Sequence, residues 1–256
     1  MSKFYKYRGN VDLQSIDGKK LLDRDVESIY YSYMWFSDLE SLNDKNEGLH
    51  SLDKFKDNVD GVTKLMDVLN LKKHDDEVNN DYLMAVKNAI NLHKKLVGIF
   101  SLTTDNLNNL MWSHYANCHK GYCIEYEFNK LADLKLNELN CSSLKDFDSF
   151  EKVIYDNKIF ELTDVNFSPK DFKKIIIRKT KEWSYEKEFR IISKVCGSYQ
   201  HEPTIIKSIV FGISSSEDVK TYIMEKLQYK EIEFFQLRRE KYNSLKFIRE
   251  KINFSI

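Results

Sequence analysis

Three short runs in this chain combine residue types that could act on a ligand. The first is TKEWSYEKEFRII, residues 180–192, where Glu186 and Glu188 stand two apart and Arg190 follows two later. On a strand, alternate residues share a face at a spacing of about 6.5–7 Å. Glu186, Glu188 and Arg190 would then form a charged ladder, with Lys187, Phe189 and Ile191 on the other side. Neighbouring carboxylates raise each other's pKa and an adjacent Arg lowers it, so such a ladder suits acid–base or cation-stabilising work. The plainer reading is a solvated strand face with a Glu–Arg pair. The second run is Tyr7-Arg8-Gly9, in which an Arg at a strand end presents a bidentate fork to phosphate or carboxylate. The third is Phe100-Ser101-Leu102-Thr103-Thr104, whose hydroxyls could orient a ligand or a carboxylate, or simply form a turn.

A fourth group, Met111-Trp112-Ser113-His114-Tyr115, reads as a short helix with Met111 and Tyr115 stacked at i,i+4. It is either a core-packing helix or an aromatic wall with a His, suited to a nicotinamide or adenine ring. Cys118-x4-Cys123 lies near His114 and His119, but no second Cys/His pair at finger spacing follows. We therefore expect reduced structural thiols and no metal.

The elements that must position these residues follow from periodicity and punctuation. Strands are expected over 3–8, 29–37, 96–102, 121–128, 188–193, 204–211 and 231–237. The 121–128 run alternates Tyr122, Ile124, Tyr126 and Phe128 with Cys123, Glu125 and Glu127, as a half-buried strand does. Helices are expected over 81–96, over 106–115 with Asp105 as its cap, from Ser168-Pro169 to about Lys181, and from Ser215 or Ser216 to Leu227. Strands and helices mix without regular alternation, which predicts an α+β domain with a mixed or antiparallel β core. Residues 45–95, polar and helical in pattern, read as a helical insertion or lid within a single domain spanning 1–256.

Composition narrows the function classes. The 256 residues carry 40 Lys+Arg and 40 Asp+Glu, a formal net charge of zero. This excludes the uniform positive charge of a non-specific nucleic-acid coat. With 42% hydrophobic and 13% aromatic residues, the chain can bury a sizeable core. No signal peptide and no apolar stretch of membrane-spanning length is visible, so a cytoplasmic protein with no membrane partner is expected. Lys-rich runs at 170–181 and 226–251 offer a basic face for nucleic acid, or else solvated helix faces.

Several blocks resemble a bacterial family known only as domain of unknown function twenty-nine seventy-one. They are FYKYR at the start, WFSDLESLND at 35–44, GIFSLTTDNLNNLMWSHYANCHKGYCIEYEF at 98–128, KEWSYEKEFRII at 181–192 and IKSIVFGISSSED at 206–218. One departure is LNDKNE, Leu42 to Glu47, which lacks the proline of the family's corresponding block. The family name carries no activity.

At the level of motifs alone, the chain also resembles mono-ADP-ribosyltransferases of the Arg-Ser-Glu type. YRG supplies the Arg, Phe100-Ser101-Leu102-Thr103 a degenerate Ser-Thr-Ser element, and Glu186-Lys187-Glu188 the Glu-x-Glu pair, in the family's order. The resemblance implies a split β core, NAD as substrate and a protein or nucleic-acid acceptor, as in a toxin or phage-defence effector with a neutralising antitoxin. It implies catalytic roles for Glu188, Glu186 and Arg8. Contacts to NAD would come from Arg8, Ser101, Thr103, Trp112, His114, Tyr115 and Arg190, with Trp112 or a tyrosine of 30–36 against the nicotinamide. A non-catalytic binding or regulatory module of a defence or toxin–antitoxin system is the alternative. A hydrolase or nuclease using His114, Glu125 and the two later glutamates is a third reading.

Overall fold

A computed structural model describes residues 1–51, 79–138, 147–161, 169–241 and 246–253. Much of 45–95, read above as an insertion or lid, lies outside the described residues, as do Cys141, Ser168 and Tyr242. The chain is α+β. Its main sheet uses β1 (Ser2–Arg8), β3 (Gly98–Thr103), β4 (Tyr122–Phe128), β5 (Phe147–Lys152), β6 (Glu188–Ser193), β8 (Ile206–Phe211), β9 (Glu233–Arg239) and β10 (Phe247–Ile252). A smaller sheet pairs β2 (Tyr33–Phe36) with β7 (Gly197–Gln200). The eight strands of the main sheet run in the order β10-β9-β8-β4-β1-β3-β6-β5. Within this sheet, among the described residues, only β8 and β9 pair in parallel, and the helix between them makes the crossover that parallel pairing requires.

The helices are α1 (Ile16–Tyr30), α2 (Asn79–Leu96), α3 (Asn109–Tyr115), α4 (Pro169–Ile176) and α5 (Glu217–Leu227). Helix α1 was not expected, and it takes the first residues of the aromatic run read as a strand at 29–37. Ser15 caps it by accepting from the Gly18 amide, and Leu22, Val26 and Ile29 form its buried stripe at i, i+4 and i+7. The strand is confined to Tyr33–Phe36. Asn108, not Asp105, caps α3, because its side chain accepts from the Leu110 and Met111 amides. The helix after Pro169 ends at Ile176 rather than near Lys181, and a two-residue strand and a 3₁₀ turn, Lys181–Glu186, follow. Ser216 caps α5 as expected.

Both faces of the main sheet are covered. Phe4, Ile124, Tyr126, Phe100 and Ile191 pack with Leu22, Val26 and Ile29 of α1 and with Ile223 and Leu227 of α5. On the opposite face Tyr5, Tyr7, Cys123, Val210 and Leu237 pack with Met111 and Trp112 of α3. Strand β4 is therefore buried on both faces, and the half-buried reading of 121–128 is corrected by the helix laid over each side. No helix among the described residues is long and apolar enough to cross a membrane.

The turn between α3 and β4 is unusual. Asn117, Cys118 and His119 lie consecutively in the left-handed region, at φ 47°, 52° and 66°. L-residues visit that region at a cost and usually singly. The turn is held by hydrogen bonds from the Gly121 amide to the Ala116 carbonyl at 2.8 Å and from the Ser214 amide to the His119 carbonyl at 3.0 Å. Gly212 lies so close that a Cβ there would overlap the His119 carbonyl oxygen, and one on Gly121 would overlap the Arg8 carbonyl oxygen. Because both obstacles are backbone, Gly212→Ala should destabilise the fold by roughly 1–3 kcal/mol, read as a lower urea midpoint. An unchanged midpoint would show that the turn can shift without loss.

Candidate active site

Strand β1 pairs with β4 along its whole length, from Ser2↔Phe128 to Arg8↔Tyr122. With β3 it pairs at one position only, Tyr5↔Thr103. Past that point the two strands part, and the far end of β3 instead pairs Ile99 with Ser37. The gap between β1 and β3 opens into a cleft of about 660 Å³. Residues opposite one another in an antiparallel pair share a face. Thr103 opposes both Tyr5 and Glu188, and Ser101 opposes Arg190, so these point to the α3 side. Lys6 and Arg8, by alternation, point to the α1 side. Only the parting of β1 from β3 lets residues of both faces line one cleft.

One wall is cationic and aromatic. It carries Lys6 and Arg8 of β1, Arg24, Asp25 and Ser28 of α1, and Tyr33 and Trp35 of β2. Asp25 is buried; it accepts from the Asn10 side chain at 2.7 Å and lies 3.7 Å from Arg8 Nη1. Arg8 Nε is buried without a hydrogen-bond partner, as is the Tyr122 hydroxyl. Trp35 is 56% exposed.

The other wall is a buried charge cluster. Arg190 grips Glu188 with two bonds, Nε to Oε1 at 2.8 Å and Nη2 to Oε2 at 3.0 Å. It also holds Glu47 at 2.6 Å and donates to the Ile176 carbonyl at 2.5 Å. Lys179 lies 2.7 Å from Glu186, 3.3 Å from Glu47 and 3.6 Å from Glu188. Three carboxylates thus face two cations. Burial opposes the charge on Glu188, but Arg190, Lys179 and a hydrogen bond from the Ser101 hydroxyl outweigh it and draw the carboxyl down to about 2. Burial dominates at Glu186 and Glu47, whose carboxyls are raised despite Lys179 and Arg190. The Tyr115 hydroxyl donates to Glu186, and Asn43 donates to Tyr115 at 2.5 Å.

Local structure explains this wall. Glu186 closes the 3₁₀ turn and Lys187 takes φ 47°, so the strand begins only at Glu188. Glu186 and Glu188 are therefore not two rungs of one strand, as their spacing suggests; the left-handed Lys187 redirects the chain between them. The Glu188 amide donates to the Tyr155 hydroxyl at 2.8 Å.

Among the expected site residues, Arg8, Ser101, Thr103, Tyr115, Glu186 and Glu188 line the cleft. Three do not. Trp112 is fully buried, edge-on to Tyr7 with its indole N–H on the Asn106 carbonyl, so no ligand ring can reach it. His114 is exposed on the outer side of α3, near Tyr185. Arg190 is completely buried behind Glu188 and acts through it. Glu125 is tied to Lys3 at 2.6 Å, Arg249 at 2.5 Å and Ser208 at 3.2 Å, fastening β10 to the sheet away from the cleft. Lys6, Glu47, Lys179 and Trp35 were not singled out from sequence. Lys6 carried a signal, since it shares the Arg8 face of β1. Lys179 stands only seven residues before Glu186, at the end of the Lys-rich run 170–181; Glu47 closes the LNDKNE block, and only long-range folding brings it to Arg190 and Lys179.

Residues 111–191 match a family model described as Protein of unknown function (DUF2971), which supports over this stretch the resemblance read from the sequence. The match contains Tyr115, Lys179, Glu186, Glu188 and Arg190, whereas Lys6, Arg8, Glu47 and Ser101 lie outside it. No curated protein and no solved structure matches the chain.

Proposed function

We propose that the cleft cleaves the nicotinamide–ribose bond of NAD and transfers ADP-ribose to a macromolecular acceptor, protein or nucleic acid. The observation that carries this reading is the meeting of Arg8, Ser101, Glu186 and Glu188 in one cleft at a split between two strands. Breaking the bond develops positive charge on the ribose, and a fixed carboxylate beside that carbon stabilises it. Glu188 suits this role, since it stays ionised through the physiological range and is oriented by Ser101 and Arg190. Glu186 suits proton removal from the acceptor, because burial raises its carboxyl and Tyr115 and Lys179 hold it in place. Arg8 and Arg24 offer charge for the pyrophosphate, and the unpartnered Arg8 Nε supports an anion there.

Trp35 takes the stacking role that the resemblance gave to Trp112 or a tyrosine of 30–36, and of those tyrosines Tyr33 lines the cleft beside it. Trp35→Ala should weaken NAD binding by roughly 3–10-fold, the worth of one aromatic contact, without changing stability. Titration calorimetry with NAD tests both the site and this residue. Wild-type binding that Arg8→Gln abolishes is the expected result, and no heat from NAD in either protein would count against the reading.

A non-catalytic nucleotide-binding or regulatory module is the second reading, favoured by the bidentate neutralisation of Glu188 by Arg190. It predicts NAD binding without nicotinamide release.

A further inference from the structure

The cleft contains an amine that the proposed transfer leaves without a role. Lys6 lines the cleft at the parting of β1 and β3, where Nζ donates to the Ser101 carbonyl at 3.0 Å. That carbonyl belongs to the stretch of β3 where pairing with β1 has ceased. Nζ also stands 4.3 Å from the centroid of the Phe100 ring. Among the described residues, no carboxylate comes within ion-pair distance of it. The charged groups acting on it from further off are Arg8 on its own strand, Glu188 on β6 and Asp25 on α1.

We propose that Lys6 is a nucleophilic amine and that its ligands are phosphorylated reducing sugars, captured as a Schiff base. The Nζ lone pair attacks the open-chain C1 aldehyde. The two amine hydrogens leave with the carbonyl oxygen as water, and a C=N bond replaces the C=O bond. No oxidant or reductant is needed. Arg8 lies two residues along on the same face of β1 and lines the cleft, where its guanidinium offers a fork to the phosphate. Burial and the nearby Arg8 charge draw the Lys6 ammonium down to about 7, which supplies the neutral amine. A desolvated lysine beside a second cation is a known way to make this nucleophile.

The inference rests on the cleft alone. ADP-ribose, the sugar that NAD hydrolysis releases, belongs to the proposed class, as does ribose 5-phosphate, which is independent of NAD. Failure of NAD cleavage therefore leaves the inference standing.

The test incubates wild-type protein at pH 7 with cyanoborohydride and either ADP-ribose or ribose 5-phosphate, and maps reduced adducts by peptide mass spectrometry. At pH 7 a lysine titrating near 7 is neutral about a thousand times more often than an ordinary one, so Lys6 should label at least roughly tenfold faster than exposed lysines. Unphosphorylated ribose should label Lys6 more slowly than ribose 5-phosphate does, and Arg8→Gln should slow both phosphorylated probes. Faster labelling by ADP-ribose would identify the nucleotide-linked sugar as the ligand; equal labelling would identify simple sugar phosphates. Lys6→Arg should remove the fast adduct, but mapping on the wild-type protein decides the matter without any variant. If the Lys6 peptide labels no faster than exposed lysines in the folded protein with either probe, the proposal is overturned.

Discussion

Glu188→Gln should lower nicotinamide release by roughly 100–1000-fold, the usual cost of removing one preorganised charge that meets the transition state. The amide keeps the volume and one acceptor oxygen for Arg190 but cannot balance a ribosyl cation. NAD affinity should change little, because the ground state carries no such charge on the ribose. The same substitution has a signature in acid. The Glu188 carboxyl lies at about 2 in the fold against an ordinary 4.5. A depressed carboxyl contributes stability that is fully present above about 4.5 and is lost as pH falls toward 2; here that is on the order of 3 kcal/mol. Glu47 and Glu186 are raised, so their contribution has the opposite sign and weakens stability as pH rises past the ordinary value. Between pH 4.5 and 2, wild-type stability should fall steeply and the Gln variant less so. Equal acid slopes would show that Glu188 is not charged in the fold.

Arg190→Met should be the most destabilising single change in the buried charge cluster behind the cleft. It leaves Glu188 and Glu47 without their guanidinium and the Ile176 carbonyl without its donor. Breaking a buried pair from one side costs about 3–5 kcal/mol, because the remaining charge stays buried and unpaired. Arg190→Lys keeps the charge but loses the planar fork that reaches two carboxylates and a carbonyl together, so it should recover only part of the loss. The double variant Glu188→Gln/Arg190→Met should be more stable than Arg190→Met alone, since one orphaned carboxylate is gone. Urea unfolding of the four proteins measures this directly. A double variant no more stable than Arg190→Met would mean that Arg190 stabilises the fold by packing rather than by pairing.

These residues show what the sequence could and could not reveal. The spacing of Glu186, Glu188 and Arg190 pointed to the right cluster but to the wrong geometry. Lys187 adopts a left-handed conformation, and no periodicity reports that. The strand bearing Arg8 was legible from alternation, and so was the Ser101 strand. Their partial separation was not, because past Tyr5↔Thr103 the far end of β3 bridges through Ile99 to Ser37, one residue beyond β2. Helix α1 escaped notice because its C-terminal end, the β-branched Ile29 and aromatic Tyr30, reads as β-prone when taken with the run that follows. Trp112 had the right type for a ring platform, yet the α3 stripe turns it into the core with Tyr7. Glu47 joins the charge cluster from a distant part of the chain, and only the tertiary fold makes it a neighbour of Lys179 and Arg190.

The most direct test of the central claim is nicotinamide release from NAD by the purified wild-type protein, with a mixed protein and nucleic-acid acceptor pool and a chelator present. The proposed chemistry predicts stoichiometric release of nicotinamide with ADP-ribose appearing on the acceptor, and loss of both in Glu188→Gln. Binding of NAD with no nicotinamide released by the wild-type protein would contradict it.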